Sequence, residues 1–345
     1  MSKNILVIRR DNIGDLICTT PLISSLRGAF PDACIDVLVN SYNAPVVRGN
    51  KEIDNIYIYK KAKHTGKGES KLRVYLERLS TYLQLRLKGI DIAILAGGED
   101  NKRSLKVAKI VGAKEIIGYT SSSVHTFKGI TTPLQAKQTK GLHEVELTNL
   151  LAKSLGITGQ PPQCTLIPDD AYLKEAEKYL QARNITPYMS PIGLHISARK
   201  PSNRWTEDSY IELIQKLWRQ YQQPIVLFWS PGSQNNPLHP GDDELADRIK
   251  ESCHNVELVP FPTQSLEQLI TGVSLCREFI CSDGGAMHIA AALGRPILCF
   301  FGDSDATRWH PWGTRYELIQ KESRQVSDIT VDEALNGFSK LLTGY

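Results

Sequence analysis

Asp15 follows Gly14 at the point where a short apolar run gives way to helical spacing. Asn4 to Ile8 is apolar and rich in β-branched residues, Arg9-Arg10-Asp11-Asn12-Ile13-Gly14-Asp15 is polar, and Leu16 to Gly28 repeats its apolar residues at a helical interval. A carboxylate at such a turn can take the proton of an attacking hydroxyl, which makes Asp15 a candidate general base. Capping the following helix is the other use of that position. Arg9 and Arg10 offer charge to an anionic acceptor, or are solvated.

A second constellation is Ser282-Asp283-Gly284-Gly285-Ala286-Met287-His288, leading into Ile289-Ala290-Ala291-Ala292-Leu293. Here a strand ends, two glycines turn the chain, and an alanine-rich helix starts. Small residues let a ligand come close to the backbone. The free N–H groups and positive end of the helix dipole then favour a phosphate group. Ser282, Asp283, Gly284, Gly285, Ala286 and His288 are therefore donor-site candidates, His288 as a further hydrogen-bond donor. The competing use is structural, with Asp283 as the helix cap.

The segment from His195 to Trp205 carries Ser197, Arg199, Lys200 and Arg204, a hydroxyl and three cations suited to diphosphate oxygens. Trp205 reads as a core residue at a helix start. Asp242, in the loop that begins at Ser230-Pro231-Gly232, can accept from ribose hydroxyls or cap the next helix. Lys102 and Arg103 follow Leu95-Ala96-Gly97-Gly98 at another strand end and could meet an anionic acceptor. Asp303-Ser304-Asp305 looks like the acidic metal-binding pair of other sugar transferases. No His or Cys cluster accompanies it, and no metal is expected.

The elements that must position these residues alternate strand and helix, which predicts parallel sheets covered by helices. Strands are expected at 4–8, 34–39 and 90–95, then at 192–196, 224–229, 255–258, 278–281 and 296–301. Helices are expected at 16–28, with Pro21 tolerable only near a first turn, and at 169–183 and 328–342. Lys60 to Lys71 is polar, basic and glycine-containing and reads as a mobile loop. Gly159-Gln160-Pro161-Pro162-Gln163 marks a break. The expected fold is α/β: two Rossmann-like domains facing across a cleft, at 1–165 and 190–325. A C-terminal helix in 326–345 could pack back on the first domain.

Composition limits the function class. A chain of 345 residues with 41% hydrophobic and 23% charged residues is long enough for two cored domains. The net charge of +4 is too small to imply nucleic acid. Seven cysteines, with no CxxC pair and several inside apolar runs, read as reduced thiols of a cytoplasmic protein. Neither a signal-peptide pattern nor an apolar stretch of about 18 residues is present. No G-x-G-x-x-G follows the first strand, which argues against a dinucleotide dehydrogenase.

Asn12-Ile13-Gly14-Asp15, Leu142-His143-Glu144-Val145-Glu146, Arg204-Trp205 and Ser282 through Leu293, continued by Gly294-Arg295-Pro296 and Phe301-Gly302, match a known set in order and approximate spacing. Over nearly the whole chain they resemble glycosyltransferase family 9, the ADP-heptose:lipopolysaccharide heptosyltransferases. The resemblance implies the GT-B fold, with the acceptor on the first domain and the donor on the second. It implies metal-independent, inverting transfer with no cofactor, ADP-heptose being a substrate. Asp15 matches the family's base, Asp283 to His288 its donor-phosphate loop, Ser197 a phosphate contact and Asp242 a ribose-binding acid. Arg9, Arg10, Asn12, Gly14, Lys102 and Arg103 fall on the acceptor side. Closing the domains would exclude water from the donor.

The family often carries a phosphate-binding Lys two residues before the Trp. Asn203 stands there, leaving Arg199, Lys200 or Arg204 to supply the charge. The implied partners are a nucleotide-sugar donor and an anionic glycolipid or oligosaccharide acceptor. A lipid-linked acceptor would bring the enzyme to the cytoplasmic face of the inner membrane. Two alternatives stay open: a GT-B transferase using another nucleotide sugar or acceptor, and a non-catalytic nucleotide-sugar-binding protein.

Overall fold

The computed structural model describes residues 2–60, 71–121, 129–135, 141–235 and 241–344. The chain divides into two compact units, Met1–Ile167 and Pro168–Tyr345. Each is α/β and Rossmann-like.

The first unit holds β1 (Asn4–Ile8), β2 (Cys34–Asn40), β3 (Asn55–Tyr59), β4 (Ile92–Leu95), β5 (Glu115–Thr120) and β6 (Thr132–Gln135). Its helices are α1 (Ile13–Ile17), α2 (Thr20–Ala29), α3 (Lys71–Lys88), α4 (Lys102–Ile110) and α5 (Glu144–Lys153). The strands are parallel in the order β3-β2-β1-β4-β5-β6. A central strand of a parallel sheet is covered on both faces, so β1 and β4 read as unbroken apolar runs and not as alternation. The order reverses between β1 and β4, a switch point where the loops after the two strands diverge and leave a crevice.

The helix expected over 16–28 is interrupted at Cys18 and Thr19, and proline is the reason. Pro21 has no N–H for the Ile17 carbonyl, and its ring would crowd that group. The chain restarts at Thr20, which puts Pro21 in the first turn of α2. The Thr20 hydroxyl donates to the stranded Ile17 carbonyl at 2.8 Å. Of the loop expected at Lys60 to Lys71, residues 61–70 lie outside the described residues, and Lys71 begins α3.

The second unit holds β7 (Ile192–His195), β8 (Ile225–Trp229), β9 (Leu258–Pro262), β10 (Glu278–Ser282), β11 (Ile297–Phe301) and β12 (Tyr316–Gln320). Its helices are α6 (Asp170–Gln181), α7 (Glu207–Tyr221), α8 (Asp243–Ser252), α9 (Leu266–Ser274), α10 (Gly285–Ala292), α11 (Ala306–Trp309) and α12 (Val331–Thr343). The sheet runs β12-β11-β10-β7-β8-β9, all parallel, with its switch point between β7 and β10. The strand expected at 255–258 lies at Leu258–Pro262 instead. It contains Pro260 and Pro262, which an edge strand tolerates because one side of its backbone needs no partner.

Both flanking helices correct the expected boundaries. α6 belongs to the second unit: it packs on α9, and the Tyr179 hydroxyl donates to the Pro260 carbonyl at 2.7 Å. α12 also serves its own unit, burying Ala334, Phe338 and Leu341 in the core that holds Leu298 and Phe300. Gly337 brings it close, since a Cβ there would sit 3.0 Å from Leu298 Cδ1.

Gly193 sets a similar limit inside the second sheet. A Cβ on this β7 residue would lie 2.5 Å from Cδ2 of the buried Phe279 ring and 3.0 Å from Cys276 Sγ. Overpacking a core by one methyl typically costs about 1–3 kcal/mol. Gly193→Ala should lower the free energy of urea unfolding by that amount; an unchanged midpoint would mean that the Phe279 ring can move aside.

Candidate active site

In the first unit, the loop after β1 closes around one buried cation. The Arg9 side chain is 3% exposed, and Nη2 lies 2.5 Å from Asp15 Oδ1 and 2.8 Å from Glu144 Oε1. Its Nε lies 3.2 Å from Asp11 Oδ2. Burial opposes the charge on Arg9, but Asp15, Glu144 and Asp11 outweigh it and raise its pKa. Burial would likewise raise Asp15. The Arg9 charge and hydrogen bond, with the Asn12 N–H donating to Asp15 Oδ2 at 3.1 Å, hold it below the ordinary carboxylate value instead. Asp15 is thus ionised at neutral pH, in the third position of α1 and partly exposed.

The loop backbone is strapped by the end of β2. Asn40 donates to the Arg10 carbonyl, Tyr42 to the Asp11 carbonyl, and Asn43 to those of Asp11 and Asn12. Arg10 is half-buried, its guanidinium 4.6 Å from the centre of the Tyr59 ring. Burial is the first cause that lowers its pKa, and Arg103 adds to it. Lys102 and Arg103 are exposed in the first turn of α4, which follows the switch-point strand β4. Asn12 is exposed and Gly14 buried. Arg9, expected to face an acceptor, has its guanidinium turned inward, which makes it a positioning residue.

In the second unit, the loops after β7, β10 and β11 meet at the switch point. Asn203 is buried; its Nδ2 donates to the Asp283 carbonyl at 2.9 Å and to Asp283 Oδ2 at 3.2 Å, and its Oδ1 accepts from the Gly302 N–H at 3.1 Å. Ser304 Oγ donates to Asp283 Oδ2 at 2.6 Å, and Lys200 donates to Ser304 Oγ at 2.9 Å and Asp303 Oδ1 at 3.1 Å. Asp283 is therefore not the cap of α10. That place belongs to Gly284, and no side chain caps the helix. A Cβ built on Gly284 meets nothing within 4 Å, so the space above the helix start is open. Gly285 and Ala286 form the first turn, and buried His288 sets its ring edgewise to Trp309, 5.9 Å between centres.

The remaining residues sort by geometry. Arg204 folds back, Nε donating to the Ala198 carbonyl at 3.0 Å and Nη1 lying 3.4 Å from Asp242 Oδ1. Asp242 occupies the cap position of α8 without capping it. Ser197 Oγ accepts from the Ser230 N–H at 2.9 Å, while Arg199 is exposed and Ser282 buried. Trp205 is core, its Nε1 donating to the Ile329 carbonyl at 2.8 Å. Of the acidic pair that resembles a metal motif, Asp303 pairs with Lys200 and Asp305 caps α11.

Sequence reasoning missed the structural parts of both loops. Glu144 was visible only as a member of a matched segment, and Asn203 only as a departure. Ser304, Asn40 and Asn43 gave no signal.

The model of glycosyltransferase family 9 (heptosyltransferase) matches residues 78–335. Lipopolysaccharide heptosyltransferase 3 of Escherichia coli K12 is 25% identical, over 95% of each chain. A solved glycosyl transferase of family 9 from Veillonella parvula has a TM-score of 0.84 at 19% identity, covering 99% of this chain and 98% of that one. The structure of E. coli ADP-heptose lps heptosyltransferase II has a TM-score of 0.75 at 21% identity, covering 100% and 99%. With two Rossmann-like units of the GT-B class, this chain is a glycosyltransferase and belongs to glycosyltransferase family 9, the heptosyltransferase family.

Proposed function

We propose that this enzyme transfers a heptose from ADP-heptose to a lipopolysaccharide core-type acceptor, with inversion and without a metal ion. The observation that carries the reading is the Asp15 carboxylate, held ionised and aimed by Arg9 at the end of β1. An acceptor hydroxyl attacks the anomeric carbon, the bond from that carbon to the diphosphate breaks, ADP leaves, and the hydroxyl proton passes to Asp15. One displacement inverts the centre.

Negative charge then grows on the leaving diphosphate. The start of α10, uncapped by any side chain and open above Gly284, suits that charge, and preorganised N–H groups need no rearrangement to meet it. Arg199 and Lys200 supply cations in the loop after β7. Asp303 and Asp305 are engaged with Lys200 and with α11, which supports cationic rather than metal assistance. Asp242, beside Arg204, is the ribose-binding candidate. The names of the relatives favour ADP-heptose and a lipopolysaccharide acceptor. Among the described residues no helix is long and apolar enough to cross a membrane. A cytoplasmic enzyme reaching a lipid-linked acceptor from the inner-membrane surface fits that chemistry.

One observation favours a second reading, a different nucleotide sugar on the same scaffold. The position where the family often has a phosphate-binding Lys is Asn203, whose amide clamps Asp283 and Gly302. A thermal-shift screen of ADP-, GDP- and UDP-sugars separates the two. ADP-heptose should give the largest rise in melting temperature, and a larger rise with a UDP- or GDP-sugar would replace the donor.

Asp15→Asn should fold, bind donor as the parent does, and lose kcat by about 10²–10⁴-fold, the usual worth of a positioned base. Transfer at the parental rate would remove Asp15 from the mechanism. The pH profile follows from the sign of the shift. A carboxylate lowered from its usual 3.8 stays ionised above that value and is lost as a base only when pH falls through the lower folded pKa. A kcat profile taken from about pH 8 to about pH 5 should carry no acid limb from Asp15. A limb near pH 6 that Asp15→Asn abolishes would contradict the ion pair's effect.

A further inference from the structure

We propose that α3 is a membrane-docking element that lays an outward leucine stripe into the surface of an anionic bilayer. The inference deepens the reading of a lipid-linked acceptor and rests on it for its purpose, though not for its geometry. α3 is pinned to its unit from one side. Val74 and Leu85 are buried, Arg78 donates to the Lys60 carbonyl at 2.8 Å and lies 4.2 Å from the Tyr59 ring centre, and Lys88 pairs with buried Asp36 at 2.6 Å. The opposite side carries Leu72, Tyr75, Leu76, Leu79, Leu83 and Leu87, from 49% exposed at Leu83 to 87% at Leu87. At 3.6 residues per turn these six fall within an arc of about 120°. Scattered exposed leucines need no explanation, but a continuous stripe on one helix face marks a surface that meets something apolar.

Charge identifies the occupant. On α3, Arg73 and Arg86 are exposed while Arg78 and Lys88 turn inward, and the helix's one acid, Glu77, pairs with Lys60 and Arg73. α4 packs beside it, with the Arg86 guanidinium donating to the Ile110 carbonyl at 2.9 Å. α4 adds exposed Lys102, Arg103, Lys106 and Lys109 and no carboxylate. Seating the stripe of a second copy on this one would bring two cationic rows together with little acid between them. A bilayer with anionic headgroups places negative charge beside those cations and hydrocarbon under the leucines, the arrangement of interfacial amphipathic helices. Docking there would hold the unit carrying Asp15 at the surface from which a lipid-linked acceptor projects.

The test is flotation of the full chain with vesicles of phosphatidylcholine alone and of phosphatidylcholine mixed with phosphatidylglycerol, without substrates. The parent should float with the mixed vesicles, and less so as salt rises. Leu76→Ser, Leu79→Ser and Leu83→Ser combined should weaken that binding at least about tenfold. Because these side chains are exposed, the melting temperature should not fall, nor should kcat/KM on an acceptor fragment lacking acyl chains. A parent that ignores anionic vesicles, or a triple variant that floats equally well, overturns the proposal. So does a parental dimer, seen by light scattering, that the variant splits, since a second copy would then own the stripe. A chain that floats through α3 yet rejects ADP-heptose would sink the donor reading alone.

Discussion

A guanidinium that cannot reach water decides where the Asp15 carboxylate, the proposed base, points. Arg9 sits almost fully inside the first unit, and a buried cation persists only where opposite charges surround it. Asp11 and Asp15 come from its own loop, while Glu144 arrives from α5, 135 residues along the chain. Three carboxylates surround this one guanidinium, so removing any one of them leaves two on it, whereas removing Arg9 itself leaves the acids uncompensated, a loss that typically costs about 3–5 kcal/mol. The loop after β1 therefore has little freedom, and the straps from Asn40, Tyr42 and Asn43 fix its backbone as well. This constraint has a chemical consequence. An Asp15 held by Arg9 stays charged at neutral pH but is intrinsically weak as a base; in the proposed reaction the proton would move late, when the attacking oxygen has begun to bond and grown acidic. Positioning, not basicity, then carries its contribution.

The second unit solves the same mechanical problem without a buried ion pair. Asn203 bonds to both the backbone and the side chain of Asp283 and also to Gly302, joining the loops after β7, β10 and β11. Gly302 is required by the fit, since a Cβ there would fall 2.4 Å from both Asn203 Oδ1 and the Ser202 carbonyl. A neutral clamp has a use beside a site proposed for a diphosphate. It fixes the loop without neutralising the nearby cations or repelling the ligand. Asp283, turned aside by Asn203 and Ser304, keeps its negative charge from capping the start of α10, which an anion would need free.

The sequence made the central strands legible because a parallel sheet buried on both faces requires continuous apolar residues, as β1, β4, β10 and β11 have. It hid the edges. β3, β6 and β12 were not recognised, and β9 was shifted, because an edge strand accepts proline and partial exposure; internal β5 was also missed, its short apolar run being cut by Gly118. The break before α2 follows from Pro21, with the Thr20 hydroxyl meeting the Ile17 carbonyl left over, and apolar periodicity, which runs on through it, did not register it. At the candidate site, the strand–turn–helix settings of Asp15 and of Ser282–His288 were legible from glycines at strand ends. Glu144 and Asn203 were not, since their roles exist only once distant segments meet. Arg9 was misread for the same reason: a loop arginine looks solvated until its partners are placed.

The first unit also shows how a fold can leave apolar surface uncovered without losing stability. The fixed side of α3 relies heavily on polar anchors: Arg78 on Lys60 and Tyr59, and Lys88 on Asp36 inside the sheet. Because those contacts and a few buried side chains hold the helix, its leucines are not needed for the core and can face outward. Hydropathy alone is a poor guide to such a helix, since its mean is lowered by the cations that anchor and flank it. What distinguishes it from a core helix is that its exposed leucines lie opposite its buried Val74 and Leu85, a property of the packed unit that no residue count contains.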